Sequence, residues 1–199
     1  EDTAKQLHFD DYSLIDYNRA GIPLIEIVTK PTIRSGAAAA AYLERLRQIF
    51  LFTEVSDAKM EEGSMRCDVN VSIRPYGSEK FGTRTEIKNL NSISNVQKAI
   101  EFEVARQEKV LISGGEVLQE TRRYDEDSKE TVVMRAKGDA VDYKYYPEPN
   151  ILPIRLNHQW VEGIIERIPE MPESRVARYI NEYKIPKTDA LILVQTKKV

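Results

Sequence analysis

The sequence predicts an α+β fold, in which a mainly antiparallel sheet packs with helices and is followed by the start of an all-helical domain. Two central segments, 68–74 and 83–88, alternate polar and apolar residues, as half-buried strands do. Apolar stripes at helical spacing flank them at 36–52 and 93–112, and the second stripe comprises Val96, Ile100, Val104 and Leu111. From residue 157 onward, short helical stripes are separated by prolines. We therefore predict two domains, 1–156 and 157–199, each incomplete.

The two central segments are expected to pair as an antiparallel hairpin, because Pro75, Gly77 and Gly82 supply turn residues between them. Its apolar face would carry valines, isoleucines and threonines. Its opposite face would be dense in carboxylates, amides and cations within a few ångströms of one another. The members of this polar face are Asp68, Asn70, Ser72, Arg74, Arg84, Glu86 and Lys88.

Two interpretations of this polar face remain open on pattern alone. Alternating charges on a strand often form a solvated surface with cross-strand ion pairs. The alternative is a magnesium and phosphate site, because magnesium binds one or two carboxylates together with substrate phosphates. Asp68 and Glu86, flanked by Arg and Lys side chains, would suit such a site.

The helices have recognisable ends. Ser35 is a plausible N-cap for the helix at 36–52, and Asn91 or Ser92 can cap the helix at 93–112. The junction at 88–92 is a candidate anion site, because a helix N-terminus presents free N–H groups. Neither GxxxxGK[ST] nor GxGxxG occurs, so the sequence predicts neither a P-loop nor a dinucleotide-binding fold.

A second hairpin is predicted from 117–125 and 131–137, across an acidic turn. Glu120, Arg122 and Tyr124 share one face of its first strand, and Gln119, Thr121 and Arg123 share the other. The two arginines could clamp phosphate or could pair with the acidic turn. The aromatic run that follows, at 142–150, could stack on a base or fill the edge of the core.

The N-terminal part is predicted to hold a short strand at 12–16 and a buried strand at 23–28, interrupted by Glu26. A buried charge is costly unless it is paired, hydrogen-bonded or bound to a metal. Glu26 therefore either belongs to a site or points to the open face of the strand.

Composition limits the classes of protein that this chain can be. A hydrophobic content of 41% in 199 residues can bury a core, and a net charge of -3 means that RNA would have to bind a local basic patch. The single Cys67 excludes an intramolecular disulfide framework, and no apolar run approaches the ~20 residues that cross a bilayer. We expect a cytoplasmic or organelle-matrix location and no membrane contact. Because the chain lacks an initiator Met and stops just after an apolar run, we expect an internal fragment.

Five segments, in order along almost the whole chain, closely resemble the GatB family, the B subunits of the aspartyl/glutamyl-tRNA(Asn/Gln) amidotransferases. They are 16–28 (DYNRAGIPLIEIV), 59–72 (KMEEGSMRCDVNVS), 85–92 (TEIKNLNS), 119–124 (QETRRY) and 142–150 (DYKYYPEPN). Five motifs in the family's order are far more specific than one short pattern.

The resemblance implies a cradle-shaped kinase-like domain, working with an amidase subunit and a small third subunit. In that family, ATP and magnesium convert the side-chain carboxylate of Glu-tRNA(Gln) or Asp-tRNA(Asn) into an acyl phosphate, which ammonia from glutamine displaces. From the residue pattern together with this resemblance, we expect four catalytic acids that also form the metal site, Glu26, Asp68, Glu86 and Glu120, and three phosphate-binding cations, Arg74, Lys88 and Arg122. The competing hypothesis is a non-catalytic module that binds tRNA or a partner subunit, with the acidic face as a structural ion-pair network.

Overall fold

The strands form two sheets in the computed structural model, which describes residues 5–18, 21–136 and 151–197. The described strands are β1 (Lys5–His8), β2 (Ser13–Asp16), β3 (Val69–Val71), β4 (Thr85–Lys88), β5 (Glu120–Asp125) and β6 (Glu130–Ala136). The described helices are α1 (Gly36–Thr53), α2 (Ile93–Ile112), α3 (His158–Ile165), α4 (Pro172–Tyr183) and α5 (Lys187–Leu193). This confirms the predicted α+β class, with mostly antiparallel strand pairs. The chain divides into two compact units, 1–33 and 34–199.

The first unit contains the antiparallel pair β1–β2, in which Leu7 lies opposite Leu14. The strand predicted at 12–16 is therefore confirmed as β2. The buried strand predicted at 23–28 is wrong, because this segment forms no strand and its side chains are exposed. An apolar run forms a strand only where a neighbouring strand accepts its hydrogen bonds, and in the described part of this unit β1 and β2 pair with each other.

The second unit holds a four-stranded sheet in the order β3-β4-β5-β6. Both predicted hairpins are confirmed, since β3 pairs antiparallel with β4 and β5 pairs antiparallel with β6. The first hairpin is shorter than predicted, because the chain leaves the ladder after Val71 and rejoins it at Thr85. Ser72, Arg74 and Arg84 therefore lie outside the strands. The middle pair, β4 and β5, is parallel, and α2 provides the crossover that a parallel connection requires.

The two long helices begin where the sequence predicts. The Ser35 side chain accepts a hydrogen bond from the Ala38 amide at 3.1 Å, and the Ser92 side chain accepts one from the Asn95 amide, also at 3.1 Å. The apolar core lies between these helices and the sheet. Its buried members are Ala39, Leu43, Ala58, Met60, Met65, Val71, Ile87, Leu90, Val96, Ala99, Ile100 and Tyr124.

The close approach of α1 to α2 requires a glycine at position 36. A Cβ atom there would lie 2.7 Å from the backbone carbonyl oxygen of Gln97, and that backbone cannot easily move. We expect Gly36→Ala to lower the free energy of unfolding by about 1–3 kcal/mol, as overpacking does. Urea unfolding would measure it. Ala37→Ser, at the exposed neighbour, should change it by less than about 0.5 kcal/mol. Equal effects of the two substitutions would contradict the close approach.

The three helices predicted after residue 157 are present as α3, α4 and α5. Helix α4 contacts α1 through an ion pair between Glu173 and Arg45, and the Arg175 guanidinium lies 5.0 Å from the centroid of the Phe52 ring. The predicted domain boundary near Leu156 stays a prediction. The aromatic run at 142–150 lies outside the described residues. No described helix is long and apolar enough to cross a membrane.

Candidate functional site

Three charged side chains meet on the face of the four-stranded sheet that points away from α2, here called the open face. The Lys88 Nζ atom lies 2.6 Å from Asp68 Oδ2 and 3.4 Å from Glu86 Oε1. Strand alternation explains the grouping, because Thr85 and Ile87 of the same strand are buried on the α2 side. We call Asp68, Glu86 and Lys88 the acid–lysine cluster, and the sequence-predicted grouping of these three side chains is observed.

The cluster is charged and reachable from solvent. The hydrogen bond to Asp68 raises the pKa of Lys88; partial burial opposes this shift, and the charges of Asp68 and Glu86 add to it. The ammonium therefore stays protonated at neutral pH. The Asp68 side chain is 49% exposed and the Glu86 side chain 16% exposed, so both carboxylates can meet a ligand from the open face.

A row of polar residues crosses the open face at Glu86. Asn70 of β3 lies opposite Glu86 in the antiparallel ladder, and Thr121 of β5 lies beside Glu86 in the parallel ladder. The Thr121 hydroxyl donates a hydrogen bond to Glu86 Oε2 at 3.1 Å. Sequence reasoning gave Thr121 no role, although it separated Thr121 from the face that holds Glu120 and Arg122.

Glu120 and Arg122 lie on the opposite face, buried between the sheet and α2. They form an ion pair with each other, and the Arg122 guanidinium also donates to Thr131, from Nε to Oγ1 at 3.0 Å and from Nη2 to the carbonyl at 2.6 Å. In the ladder Arg122 stands beside the core residue Ile87. The structure does not bring these two residues together with the acid–lysine cluster. Their metal- and phosphate-binding roles stay predictions.

Arg123, the other arginine of the predicted phosphate clamp, pairs with the acidic turn. Its Nη1 atom donates to Asp125 Oδ2 at 2.8 Å. The sequence left open whether the two arginines bind phosphate or pair with the turn, and the structure shows the second arrangement for Arg123.

Arg74 and Glu26 complete the set of predicted site residues. Arg74 donates from Nη1 to the Glu79 carbonyl at 2.5 Å and stacks its guanidinium 4.7 Å from the centroid of the Phe81 ring, beside a pocket of about 460 Å³. Glu26 is exposed in the first unit. Within the described ranges, no three His, Cys, Asp or Glu side chains are grouped so as to hold a metal ion. The roles predicted for Glu26 and Arg74 stay predictions.

Comparison with known proteins assigns the family. Residues 1–162 match the family model described as the GatB/GatE catalytic domain. This chain belongs to the GatB/GatE catalytic domain family.

The chain is 54% identical over 199 residues to the B subunit of the aspartyl/glutamyl-tRNA(Asn/Gln) amidotransferase of Staphylococcus carnosus, covering all of the chain and 42% of that protein. It is 55% identical over 194 residues to the protein of the same name in Mesoplasma florum, covering 98% of the chain and 40% of the relative. The chain thus spans about two fifths of the length of these relatives.

Sequence analysis missed one acid in this GatB/GatE catalytic domain. Glu103 of α2 is fully buried and accepts hydrogen bonds from Arg106 Nη2 at 2.7 Å, Gln107 Nε2 at 2.8 Å and Thr131 Oγ1 at 2.8 Å. With Glu120 and Arg122, these residues form what we call the buried network: Glu103, Arg106, Gln107, Glu120, Arg122 and Thr131.

The three- and four-residue spacing along α2 could have identified Glu103 as a buried position. The buried positions of α2 are Asn95, Val96, Ala99, Ile100, Glu103 and Gln107, spaced three and four residues apart. The predicted apolar stripe continued instead through Val104 and Leu111, which are 38% and 45% exposed. That part of the prediction is wrong, because two polar residues occupy the core positions and find buried partners there.

The buried network keeps Glu103 ionised. Burial by itself would raise the pKa of this carboxyl, but hydrogen bonds from Arg106, Gln107 and Thr131 and the charge of Arg106 outweigh burial and lower the pKa below its usual 4.5. The network therefore contributes a paired buried charge, which holds α2 against β5 and β6 on the side opposite the acid–lysine cluster.

Proposed function

We propose that this chain carries the carboxylate-activating site of an ATP-dependent carbon–nitrogen ligase that acts on tRNA. ATP would phosphorylate the side-chain carboxylate of Glu-tRNA(Gln) or Asp-tRNA(Asn), and ammonia from glutamine would displace phosphate to leave Gln-tRNA(Gln) or Asn-tRNA(Asn). The observation that carries the proposal is the acid–lysine cluster, which places two carboxylates and one ammonium on an accessible face of the family's catalytic domain.

The oxygen donors of the cluster fit a magnesium ion. Magnesium prefers oxygen ligands and usually combines one or two carboxylates with substrate phosphates instead of a complete protein cage. Asp68 and Glu86 present two such carboxylates, and both already approach one cation, the Lys88 ammonium. Asp68 and Glu86 would hold the metal, which when bound neutralises charge on the phosphate oxygens.

The side chains of this site would bind and orient the reactants. Phosphoryl transfer depends mainly on positioning and charge stabilisation and needs no protein nucleophile. Lys88 stays protonated, so its ammonium can contact a phosphate oxygen and stabilise negative charge that develops during transfer. The substrate carboxylate itself would attack the terminal phosphorus of ATP, and the bond from that phosphorus to the bridging oxygen would break to release ADP.

The names of the relatives support a multi-subunit enzyme that acts on tRNA. Each of those relatives is named as the B subunit of an aspartyl/glutamyl-tRNA(Asn/Gln) amidotransferase. We infer that this chain works with an amidase subunit, which releases ammonia from glutamine, and with a small third subunit. Charged tRNA(Gln) or tRNA(Asn) would be its substrate, and the cytoplasm or an organelle matrix its compartment, because translation takes place there.

One observation favours a second candidate function, a non-catalytic module that binds tRNA or a partner subunit. The Lys88 ammonium contacts both carboxylates of the cluster, as in a structural ion-pair network. Such a module would bind RNA or protein without consuming ATP.

Metal removal tests whether the assembled enzyme activates the carboxylate with ATP, and substitutions in the acid–lysine cluster test whether this chain carries the site. The assembled three-subunit enzyme, given Glu-tRNA(Gln), glutamine, ATP and magnesium, is expected to form about one ADP for each Gln-tRNA(Gln), because each carboxylate is activated once. A chelator in excess of magnesium should stop formation of both products. Amide formation without ADP, or ADP formation that survives the chelator, would contradict the proposed function.

A further inference from the structure

The buried position of Thr121 in the sheet does not by itself require a side chain with a hydroxyl. It is 1% exposed at the centre of the four-stranded sheet, yet its hydroxyl faces the polar side of that sheet. A buried hydroxyl needs a partner, and Thr121 Oγ1 donates to Glu86 Oε2 at 3.1 Å. A valine would fill the same volume without the hydroxyl.

The Thr121 hydroxyl contacts a different carboxylate oxygen of Glu86 from the one that Lys88 approaches. Lys88 Nζ approaches Oε1 and Thr121 Oγ1 donates to Oε2, so the two carboxylate oxygens have different partners. The β-branched threonine has a stiff χ1, which holds its hydroxyl in place. The carboxylate plane is thereby set before any ligand arrives.

The buried network holds the strand that carries Thr121. Arg122, the next residue on β5, pairs with Glu120 and donates to Thr131 of β6 on the opposite face. These contacts hold β5 against β6, and the parallel ladder with β4 places Thr121 beside Glu86.

We propose that Thr121 is a positioning residue, which orients Glu86 for metal binding by donating a hydrogen bond to one carboxylate oxygen. The inference rests on the proposed function, because it assigns Thr121 a task at that same site. Hydrogen-bond partners of metal ligands fix ligand orientation, and their loss typically costs about 10- to 100-fold in metal affinity or activity.

The test compares Thr121→Val with Thr121→Ser in the assembled three-subunit enzyme. Valine removes the hydroxyl at nearly constant volume, and serine keeps it. The measurements are magnesium affinity, from calorimetric titration with a non-hydrolysable ATP analogue present, and the magnesium concentration that gives half-maximal amide formation. We expect Thr121→Val to weaken both by about 10- to 100-fold and Thr121→Ser to stay within about threefold of wild type.

Thr85→Val is the matched control. Thr85 is a fully buried threonine of β4 whose hydroxyl faces α2 and accepts a hydrogen bond from Gln107 Nε2 at 3.3 Å. Loss of this hydrogen bond in Thr85→Val should change the thermal unfolding temperature but leave magnesium affinity unchanged. Three results would overturn the role of Thr121: unchanged magnesium affinity in Thr121→Val, an equal loss in Thr121→Ser, or an equal loss in Thr85→Val. If wild-type enzyme itself shows no magnesium-dependent nucleotide binding, the proposed function fails instead.

Discussion

Glu86→Gln is expected to lower the rate of amide formation by about 10²- to 10³-fold in the assembled enzyme. Metal-ion stabilisation of phosphate charge is worth several kcal/mol, and about 1.4 kcal/mol corresponds to a tenfold change in rate. Glutamine keeps the volume of the side chain and an oxygen that can accept from Thr121, but it removes the negative charge that would bind the metal. Steady-state kinetics at varied magnesium concentration would measure the loss.

Glu108→Gln is the control for that substitution. Glu108 lies on the exposed face of α2, so the same chemical change there should leave the rate within about twofold of wild type. A Glu86→Gln enzyme as active as the Glu108→Gln enzyme at every magnesium concentration would contradict a role for Glu86 in metal binding.

Glu103→Ala should produce the largest loss of stability. It removes the buried acid that accepts from Arg106, Gln107 and Thr131, and so leaves buried donors and a guanidinium without their partner. Breaking a buried ion pair from one side typically costs about 3–5 kcal/mol. We expect a reduction of this size in the free energy of unfolding from urea titration at neutral pH. Glu108→Ala, on the exposed face, should cost less than about 0.5 kcal/mol, and similar losses in the two variants would contradict the buried network.

The lowered pKa of Glu103 predicts that the free energy of unfolding depends on pH. Its folded-state pKa lies below its ordinary value of 4.5, so its stabilising contribution is present above 4.5 and is lost as the pH falls through the lower, folded-state pKa. The difference in unfolding free energy between wild type and Glu103→Gln should therefore shrink as the pH falls from neutral to about 3. A difference that stays constant over this range would show that Glu103 does not titrate with a lowered pKa.

Alternation in the sequence was enough to predict the grouping of three charged side chains on the open face, although Ser72, Arg74 and Arg84 lie outside the strands. Asp68, Glu86 and Lys88 stand at polar positions of two alternating segments, and turn residues between those segments predict that they pair. Both long helices and their serine caps were predictable for the same reason, because the signals lie within a few residues of one another.

Local sequence patterns could not predict which distant segments of the chain pair with one another. Alternation correctly separated Thr121 from Arg122, but only the parallel register with β4 decides which of them stands beside Glu86. Likewise, the apolar run at 23–28 resembles a buried strand, yet a strand needs a ladder partner that its own sequence does not specify. Glu103 was missed because a charged residue at a core position is stable only with partners from distant segments such as Thr131.

The most direct test of the acid–lysine cluster is calorimetric titration of magnesium and a non-hydrolysable ATP analogue into the assembled enzyme. We expect saturable, metal-dependent binding that Asp68→Asn and Glu86→Gln each weaken by at least about tenfold, because each removes one of two carboxylates that would hold the metal. Glu108→Gln should bind like wild type. Binding of wild-type strength in both cluster variants would contradict the assignment of this face as the magnesium and phosphate site.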